Sequence, residues 1–346
     1  RDCLRLLCRA AVLLVCLHML PLWPAALGMP DQPGSLKVTT IEFPYLKDER
    51  REGRLVPIKV HVPQQQGKCP VVVFSHGGGG NWDANFAQAS HLASHGYAVL
   101  CLEHVGSNTQ RMKQGVRFMD NVKAMTRGSS EVLGRPKDVS FAIDQAEEWN
   151  RTHPVLKDRL DLKHVGVMGH SFGAYTTLVV CGARPALDWL TPPVTPGKGL
   201  GPDLSDPRVA AGVALSPQGP GEPFFLDESY ASVKTPLLGI TGSRDKQQGA
   251  PPEHRRRCFE LLPPGGKIFM WLANADHLGF SDSKGSGQRS LPSTSRADAQ
   301  PLVRAATVLF FNATLREDKE AESALSYESL SSLLRGVVNE MEIQKK

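Results

Sequence analysis

A serine between two glycines is the strongest chemical signal in this sequence. Gly169, Ser171 and Gly173 form a Gly-x-Ser-x-Gly pattern. The pattern directly follows the apolar run 165–168 and directly precedes a helical pattern at 174–181. A sharp turn between a strand and a helix lifts a serine hydroxyl above the sheet, and its glycines are needed because the turn leaves no room for a Cβ. The start of the helix also favours negative charge nearby. We therefore predict that Ser171 is a nucleophile for acyl transfer.

A nucleophilic serine needs a histidine as general base and a carboxylate that orients the histidine. Asp245 and His277 each follow an apolar run that we predict to be a buried strand. In open α/β sheets, catalytic groups lie outside the carboxyl ends of the strands. We therefore expect Ser171, Asp245 and His277 to meet at one edge of a sheet. The alternative acids are Asp276, which is adjacent to His277, and Asp227, which follows the preceding predicted strand.

A glycine-rich segment could stabilise the charge that such a reaction develops. The apolar run 71–75 leads into His76 and then into four consecutive glycines, 77–80. Consecutive glycines let backbone N–H groups point into a pocket, where they stabilise a tetrahedral oxyanion. We predict an oxyanion hole made of the N–H groups of Gly78 and Phe172, with either glycine adjacent to Gly78 as the alternative. A Walker phosphate loop is excluded, because Lys and Ser or Thr do not follow the glycines.

Four segments of the chain resemble the α/β-hydrolase superfamily: FSHGGGGN, VGVMGHSFGAYTT, LLGITGSRD and NADHLGF. Within that superfamily the chain is most similar to dienelactone-hydrolase-like and platelet-activating-factor acetylhydrolase-like esterases, including the bacterial polyester hydrolases. The resemblance covers roughly residues 37–315. It implies a serine esterase whose catalytic triad and oxyanion hole are the residues named above.

The position of the acid departs from the acetylhydrolase pattern. Platelet-activating-factor acetylhydrolases usually take their acid from the strand just after the elbow helix, which is 209–215 in this chain. Ser216, Pro217 and Gln218 follow that strand, so no carboxylate stands at the turn. We therefore expect the acid at Asp245, as in dienelactone hydrolases and polyester hydrolases. This departure argues against a phospholipid substrate.

The composition is ordinary for a soluble globular protein. The chain has 346 residues, 41% hydrophobic and 22% charged, with a formal net charge of +5. Its basic residues are scattered except for the run 255–257, which we expect on a solvated helix face, and no nucleic-acid-binding module accompanies them. The cysteines beyond the N-terminal segment lack metal-ligand spacing, and their pairing is left open: Cys69, Cys101, Cys181 and Cys258. We expect a monomer that needs no metal or cofactor.

The segment 1–28 has the features of a secretory signal. Three arginines precede an apolar run at 10–20, and small residues at 26–28 fit a cleavage site before Met29. The run is shorter than the roughly 20 apolar residues of a membrane-spanning helix. We therefore predict an exported protein, periplasmic or extracellular, without a membrane span in its mature form. A retained membrane anchor is the alternative.

The rest of the sequence alternates strands and helices. This pattern predicts an α/β fold with a mostly parallel central sheet and helices on both faces. The predicted strands are 37–43 and 55–62, as an antiparallel pair, followed by 71–74, 98–102, 165–168, 209–215, 235–241 and 267–272. The predicted helices are 84–94, 135–150, 174–181 and 301–315. We assign residues 29–316 to one catalytic domain and 317–346 to a charged C-terminal helical tail.

Two polar segments interrupt the alternation. The segment 182–206 is rich in Pro and Gly and contains Trp189. It forms either part of a substrate wall or lid, or a passive surface loop. The segment 281–300 is rich in Ser and Gly, and we expect it to be mobile and able to gate the site.

These features predict a serine hydrolase that cleaves carboxylic esters through an acyl-enzyme intermediate. The expected substrates are small-molecule or polymeric esters with short acyl chains. One alternative is an amidase or peptidase with the same triad, although peptidases of this fold usually carry a large extra domain. Another is a non-catalytic binding protein on a hydrolase scaffold, although such proteins typically lack a triad member. His76 and His170 are expected to be packing residues, and His104 is a candidate for lining the pocket.

Overall fold

A single mixed sheet of nine strands organises the part of the chain that the computed structural model describes, which is residues 29–114, 117–247, 249–282, 293–334 and 339–346. The strands are β1 (Val38–Phe43), β2 (Ile58–Pro63), β3 (Cys69–Ser75), β4 (Ala98–Leu102), β5 (Leu160–His170), β6 (Val209–Leu215), β7 (Leu237–Arg244), β8 (Lys267–Asp276) and β9 (Met341–Lys345). Their order across the sheet is β1-β2-β4-β3-β5-β6-β7-β8-β9. The five pairings from β4 to β8 are parallel, whereas β1, β2 and β9 pair antiparallel with their neighbours. The predicted α/β class with a mostly parallel sheet is confirmed.

Helices cover both faces of this sheet. They are α1 (Phe86–Ser94), α2 (Thr109–Met112), α3 (Phe118–Arg127), α4 (Ser129–Thr152), α5 (Phe172–Val180), α6 (Arg256–Leu261), α7 (Arg296–Leu315), α8 (Lys319–Ala324) and α9 (Tyr327–Ser331). The core side chains of α4 and α5 belong to one apolar layer, and those of α1 and α7 to the other. No helix within the described ranges is both long and apolar enough to cross a membrane. The predicted signal segment 1–28 lies outside the described residues.

Strand β3 shows why the central strands are apolar throughout. Val71 and Val73 pack into the layer of α4 and α5, whereas Val72 and Phe74 pack into the layer of α1 and α7. Successive side chains of a strand point to opposite faces. Since both faces are covered, the sequence reads as a continuous apolar run rather than as an alternation.

Helix α4 begins earlier than the predicted start at residue 135. It runs from Ser129 through Pro136, which lies inside the helix. A proline in a helix removes a hydrogen bond and normally favours a break. Val132 and Val139, on either side of it, are both buried in the core, and this packing keeps the turns continuous. Tertiary contacts therefore override the local signal that placed the helix start at the proline.

The C-terminal segment differs from the predicted helical tail. Residues 317–346 include α8 and α9, but Met341–Lys345 forms strand β9. This strand pairs with β8 in an antiparallel register that places Ile343 opposite Met270. Met341 is buried and Ile343 packs against the core, whereas Glu342 is exposed. The last part of the chain thus completes the sheet, because its short apolar–charged alternation suits a strand with one covered face.

Candidate active site

Three loops at one edge of the sheet bring the predicted triad residues together. Ser171 follows β5, Asp245 follows β7 and His277 follows β8. Nε2 of His277 lies 3.0 Å from Oγ of Ser171, and Nδ1 of His277 lies 2.7 Å from Oδ1 of Asp245. These strands are parallel, so their carboxyl ends share an edge. The three side chains therefore form one hydrogen-bonded chain, in the order that a serine nucleophile and its base require.

Ser171 lies on a turn that only close backbone packing can hold. Its φ is 57° and its ψ is −117°, a conformation that costs energy for a residue with a Cβ. A Cβ at Gly173 would lie 1.9 Å from the carbonyl oxygen of Ser75, and one at Gly169 would lie 2.4 Å from the carbonyl oxygen of Gly173. The amide of Gln218 also donates to the carbonyl of Ser171 at 2.7 Å. The glycines are thus required by space, as the sequence predicts.

Asp245 is fully buried and held by three neighbours. Oδ2 accepts a hydrogen bond from Oγ1 of Thr241 at 2.8 Å, and Oδ1 lies 3.0 Å from Nε of Arg255. Burial by itself raises the pKa of this carboxyl, but the charge of Arg255 and the hydrogen bond to His277 outweigh it and hold the pKa well below its ordinary value. Asp245 is therefore an anion wherever the protein is folded at neutral pH.

The two alternative acids have other partners. Oδ1 of Asp276 accepts from the N–H of Gly279 at 2.9 Å and from Oγ of Ser293 at 2.8 Å, so it caps the turn that follows β8. Asp227 is exposed and pairs with Arg257 at 2.8 Å. Among these three carboxylates, Asp245 is the one in contact with the His277 imidazole.

Arg255 is buried, contrary to the expectation that the basic run 255–257 lies on a solvated face. It is 4% exposed, and its guanidinium donates to the carbonyls of Ser216 at 2.9 Å, of Pro217 at 3.0 Å and of Asp245 at 2.9 Å. The next arginine, Arg256, pairs with an acid on the outside. Arg255 is the last residue of a short 3-10 turn, and α6 begins at Arg256. The sequence does not indicate which of the three consecutive arginines is buried.

Backbone N–H groups of the glycine loop after β3 and of Phe172 border the cavity at the serine. The N–H of Gly79 is already bound to the carbonyl of Ser107 at 2.8 Å. Within the described ranges, the N–H groups of Gly78 and Phe172 meet no protein acceptor, and the same holds for Gly77. All three residues border the cavity at Ser171. The loop therefore offers the donors that an oxyanion requires, with Gly79 excluded by its own hydrogen bond.

A cavity of about 550 Å³ opens above Ser171 and His277. Its apolar wall comes from α2, α3 and the segment after β6: Met112, Val122, Pro223 and Phe224. Its polar lining includes Asn85, Gln218 and Lys246. The segment 182–206 contributes no residue to this lining within the described chain, so its role as a substrate wall or lid gains no support. Ser281 and Asp282 do line the cavity, and residues 283–292, half of the predicted gating segment, lie outside the described residues. Its last five residues, 296–300, belong to helix α7 and not to a loop.

His104 does not line the pocket, contrary to the prediction. It is fully buried, with Nε2 2.9 Å from Oγ of Ser75 and Nδ1 2.8 Å from Oδ2 of Asp138. Ser75 and Asp138 are also fully buried, so this second serine–histidine–aspartate chain has no contact with the cavity. Burial, together with the charge of Arg135, lowers the pKa of His104 to about 3, so the imidazole is neutral. The sequence gives no sign of this arrangement, because its members come from two strand ends and a helix far apart in the chain.

The other two histidines, His76 and His170, contact residues next to the triad. His76 accepts a hydrogen bond from the N–H of His104 at 3.0 Å and is buried under the glycine loop. Nε2 of His170 lies 2.9 Å from the backbone oxygen of His277. Burial and the adjacent His277 lower the pKa of His170 to about 3, so a neutral ring donates to that carbonyl. His76 is enclosed away from the cavity lining, whereas His170 also borders the cavity. Their expected role as packing residues stays a prediction.

No group of three or more His, Cys, Asp or Glu side chains converges as a metal site within the described residues. The four cysteines in those ranges are buried and unpaired.

Comparison with known proteins agrees with this fold. Residues 70–187 match a family model described as the alpha/beta hydrolase fold. The chain is 25% identical over 247 residues to platelet-activating factor acetylhydrolase of Bos taurus, which is 62% of this chain and 48% of that protein. It is 29% identical over 249 residues to the protein of the same name from Canis lupus familiaris, with the same two shares. The match to the Cavia porcellus protein is 28% over 149 residues, covering 36% and 34% of the two chains.

These matches confirm the expected resemblance to α/β-hydrolases and to platelet-activating factor acetylhydrolases. The chain spans about half the length of the curated relatives it matches. The family-model match includes Ser171 but ends before Asp245 and His277. The resemblance to dienelactone hydrolases and polyester hydrolases stays a prediction.

Proposed function

We propose that this chain, which has the α/β-hydrolase fold and resembles platelet-activating factor acetylhydrolases, is a serine esterase that hydrolyses short-chain carboxylic esters. The observation that supports the proposal most is the hydrogen-bonded chain from Ser171 through His277 to Asp245 at the floor of a cavity. Fold alone does not identify a function, so the proposal depends on the geometry of the site.

The reaction begins with an attack by the serine. His277 Nε2 accepts the Ser171 proton while Oγ attacks the ester carbonyl carbon. Asp245 keeps the imidazole in the required tautomer and stabilises its charged form. The tetrahedral oxyanion is bound by the N–H groups of Gly78 and Phe172.

The intermediate then collapses in two steps. The bond from the carbonyl carbon to the leaving oxygen breaks, and His277 gives its proton to the departing alkoxide. The acyl group stays on Ser171 until His277 takes a proton from water, which attacks the acyl carbon. The acid leaves when the Ser171 oxygen regains its proton from His277. No metal or cofactor takes part in these steps.

Two observations favour a short acyl chain. Glycines 77–80 border the cavity next to Ser171, and the segment 182–206 does not cover it. The relatives are named as acetylhydrolases, so the acyl group in their printed name is also short. Platelet-activating factor is therefore one test substrate, beside simple esters.

A labelling experiment and a substrate panel test the proposal. We expect a fluorophosphonate probe to label wild-type protein and not Ser171→Ala, with both variants folded by circular dichroism. We expect p-nitrophenyl acetate and butyrate to be hydrolysed faster than the palmitate, without a rate increase at an oil–water interface. Equal labelling of the alanine variant would reject the nucleophile, and a clear preference for palmitate would reject the substrate class.

The same panel separates the rival enzymatic class. A p-nitroanilide of the same acyl group tests for an amidase, which would cleave the amide and the ester at comparable rates.

Export is also part of the proposal, because the segment 1–28 has the features of a secretory signal. N-terminal sequencing of secreted protein that begins at Met29 would support it, and retention of the segment would support the membrane anchor.

A further inference from the structure

Arg135 of helix α4 lies directly beneath the cavity loops without touching the cavity. Its side chain is fully buried and does not line the space above Ser171. Its guanidinium carbon lies 4.2 Å from the centroid of the Phe172 ring. Nη2 donates to the carbonyl oxygen of His76 and lies 3.3 Å from Oγ of Ser75. One side chain thus contacts both segments that carry the open N–H groups.

The two contacts involve the two segments that carry the proposed oxyanion donors. Ser75 and His76 lead directly into the glycine loop and its Gly78 N–H. Phe172 carries the other N–H on its own backbone, and its ring is the one that the guanidinium contacts. A Cβ built at Gly78 would lie 4.0 Å from Cδ1 of Phe172, so the ring that contacts the guanidinium also lies near the glycine loop.

The hydrogen bonding of Arg135 is incomplete for a buried charge. Nε and Nη1 have no protein acceptor within the described chain, and no carboxylate lies within 4.0 Å of the guanidinium there. Glu131 and Asp138 act on it from a longer distance, and Asp138 is already bound by Arg51, Arg54 and His104. A buried cation without a close counter-ion costs several kcal/mol, so its position calls for an explanation beyond packing.

We propose that Arg135 is a positioning residue for the oxyanion hole. It holds the Gly78 and Phe172 N–H groups in one arrangement by fixing the carbonyl of His76 and the ring of Phe172. Its positive charge also favours the negative charge that develops on the substrate oxygen, because charges interact more strongly in a protein interior than in water. This inference rests on the proposed esterase function.

The role predicts a specific kinetic signature. A residue that acts only on stability changes the amount of folded enzyme, whereas a residue that positions oxyanion donors changes the binding of the transition state. Loss of Arg135 should therefore lower kcat with little change in KM. It should also weaken the binding of an alkylboronic acid, which forms a tetrahedral anionic adduct on the serine.

The test compares Arg135→Lys and Arg135→Gln with a control in the same network. Arg54→Lys is the matched control, because Arg54 binds Asp138 at 2.7 and 2.9 Å but contacts neither His76 nor Phe172. Removing one oxyanion donor typically costs 10²–10³ in rate, so we expect Arg135→Gln to lower kcat about 10- to 100-fold, with KM changed less than about threefold. The Ki of butylboronic acid should rise by a similar factor. Arg54→Lys should lower the melting temperature and leave the Ki nearly unchanged.

A double-mutant cycle tests whether Arg135 acts through the Phe172 ring and not through a general loss of folded protein. Phe172→Leu keeps the backbone N–H and removes the ring under the guanidinium. If Arg135 acts through that ring, the losses in kcat/KM of Arg135→Lys and Phe172→Leu should be less than additive in the double variant.

The outcomes separate the two proposals. Folded Arg135 variants with wild-type kcat and wild-type boronic acid affinity would overturn the inference and leave the esterase function intact. Additive losses in the cycle, or a change confined to KM, would also overturn it. A wild-type protein that neither hydrolyses any ester nor binds butylboronic acid would reject the proposed function, and the inference with it.

Discussion

Nε of Arg255 lies 3.0 Å from Oδ1 of Asp245, the same carboxylate oxygen that lies 2.7 Å from Nδ1 of His277. One oxygen therefore faces both a permanent cation and the imidazole. The guanidinium also holds the carbonyls of Ser216 and Pro217, so it ties the loop after β6 to the loop after β7. The buried Arg255 thus helps to hold the proposed acid, Asp245, in place beside His277.

Replacement of Arg255 should damage both stability and turnover. Arg255→Gln leaves Asp245 as a buried carboxylate without its cation, and breaking a buried pair typically costs about 3–5 kcal/mol. We expect a loss of that order in urea unfolding and a fall in kcat of about tenfold or more. Arg257→Gln is the matched control, since Arg257 pairs with Asp227 at the surface and such pairs contribute about 0–1 kcal/mol. Equal behaviour of the two variants would contradict the assigned role.

The three candidate acids can be ranked by a single type of substitution. Asp245→Asn should lower kcat by about 10⁴, because an asparagine amide favours the wrong tautomer of His277. Asp276→Asn should act mainly on stability through the lost cap of the following turn. Asp227→Asn should be close to wild type in kcat and in stability. Esterase kinetics on all three variants give the ranking of their kcat values. A larger decrease in kcat for Asp276→Asn or Asp227→Asn than for Asp245→Asn would assign the catalytic acid to that residue instead.

The elbow glycines should be intolerant of a single methyl group. Gly173→Ala places a Cβ 1.9 Å from the backbone oxygen of Ser75, so we expect loss of the folded state or a large drop in melting temperature. Gly78→Ala is the control, because its nearest contacts are 3.9 Å to Cε of Met125 and 4.0 Å to Cδ1 of Phe172. Its melting temperature should stay near that of wild type. Comparable melting temperatures for both variants would mean that the turn relaxes freely.

The buried Asp138 should make folding stability sensitive to acid. Burial raises the pKa of this carboxyl, but its bonds to His104 and Arg54 lower the pKa further, to well below its ordinary value. The folded state therefore binds fewer protons than the unfolded state, whose aspartate pKa is about 3.9. The stabilisation is fully present above pH 3.9 and is lost as the pH falls below that value towards the folded pKa.

This linkage can be measured with one variant. Asp138→Asn should lower the unfolding free energy by about 3–5 kcal/mol at pH 7. The difference in unfolding free energy between this variant and wild type should become smaller below about pH 4. Asp227→Asn, at an exposed site, should show almost no gap at either pH. A constant gap for Asp138→Asn from pH 7 to pH 3 would contradict the linkage.

The elements that position Ser171, Asp245 and His277 were predictable because a buried parallel strand has a strong and local signature. A continuous apolar run followed by a polar turn marks both the strand and the edge where its loop emerges. For the same reason the central strands were placed to within a few residues. Strand β9 was missed, because five residues with two apolar side chains look like a charged tail until a partner strand is known.

The burial of the polar side chains around the site could not be predicted from the sequence. It depends on whether a side chain points into the fold or towards solvent, and not on its residue type. Arg255 and Arg256 are neighbours of the same kind, yet one is buried against Asp245 and the other pairs with Glu342 at the surface. Arg135 and His104 are also polar residues whose burial is set by contacts between distant segments. Periodicity and spacing carry information about strands and helices, and they carry little about which polar side chain a fold encloses.

The buried chain from Ser75 through His104 to Asp138 has a practical consequence for recognising enzymes by shape. A template search that matches interatomic distances alone would return both of these serine–histidine–aspartate chains. The distances of the buried one, 2.9 and 2.8 Å, are as good as those of the other. Solvent access to the hydroxyl and a nearby pair of free backbone donors are what tell the two apart. Automated annotation that omits those two criteria would assign a hydrolytic centre to an assembly whose serine no substrate can reach.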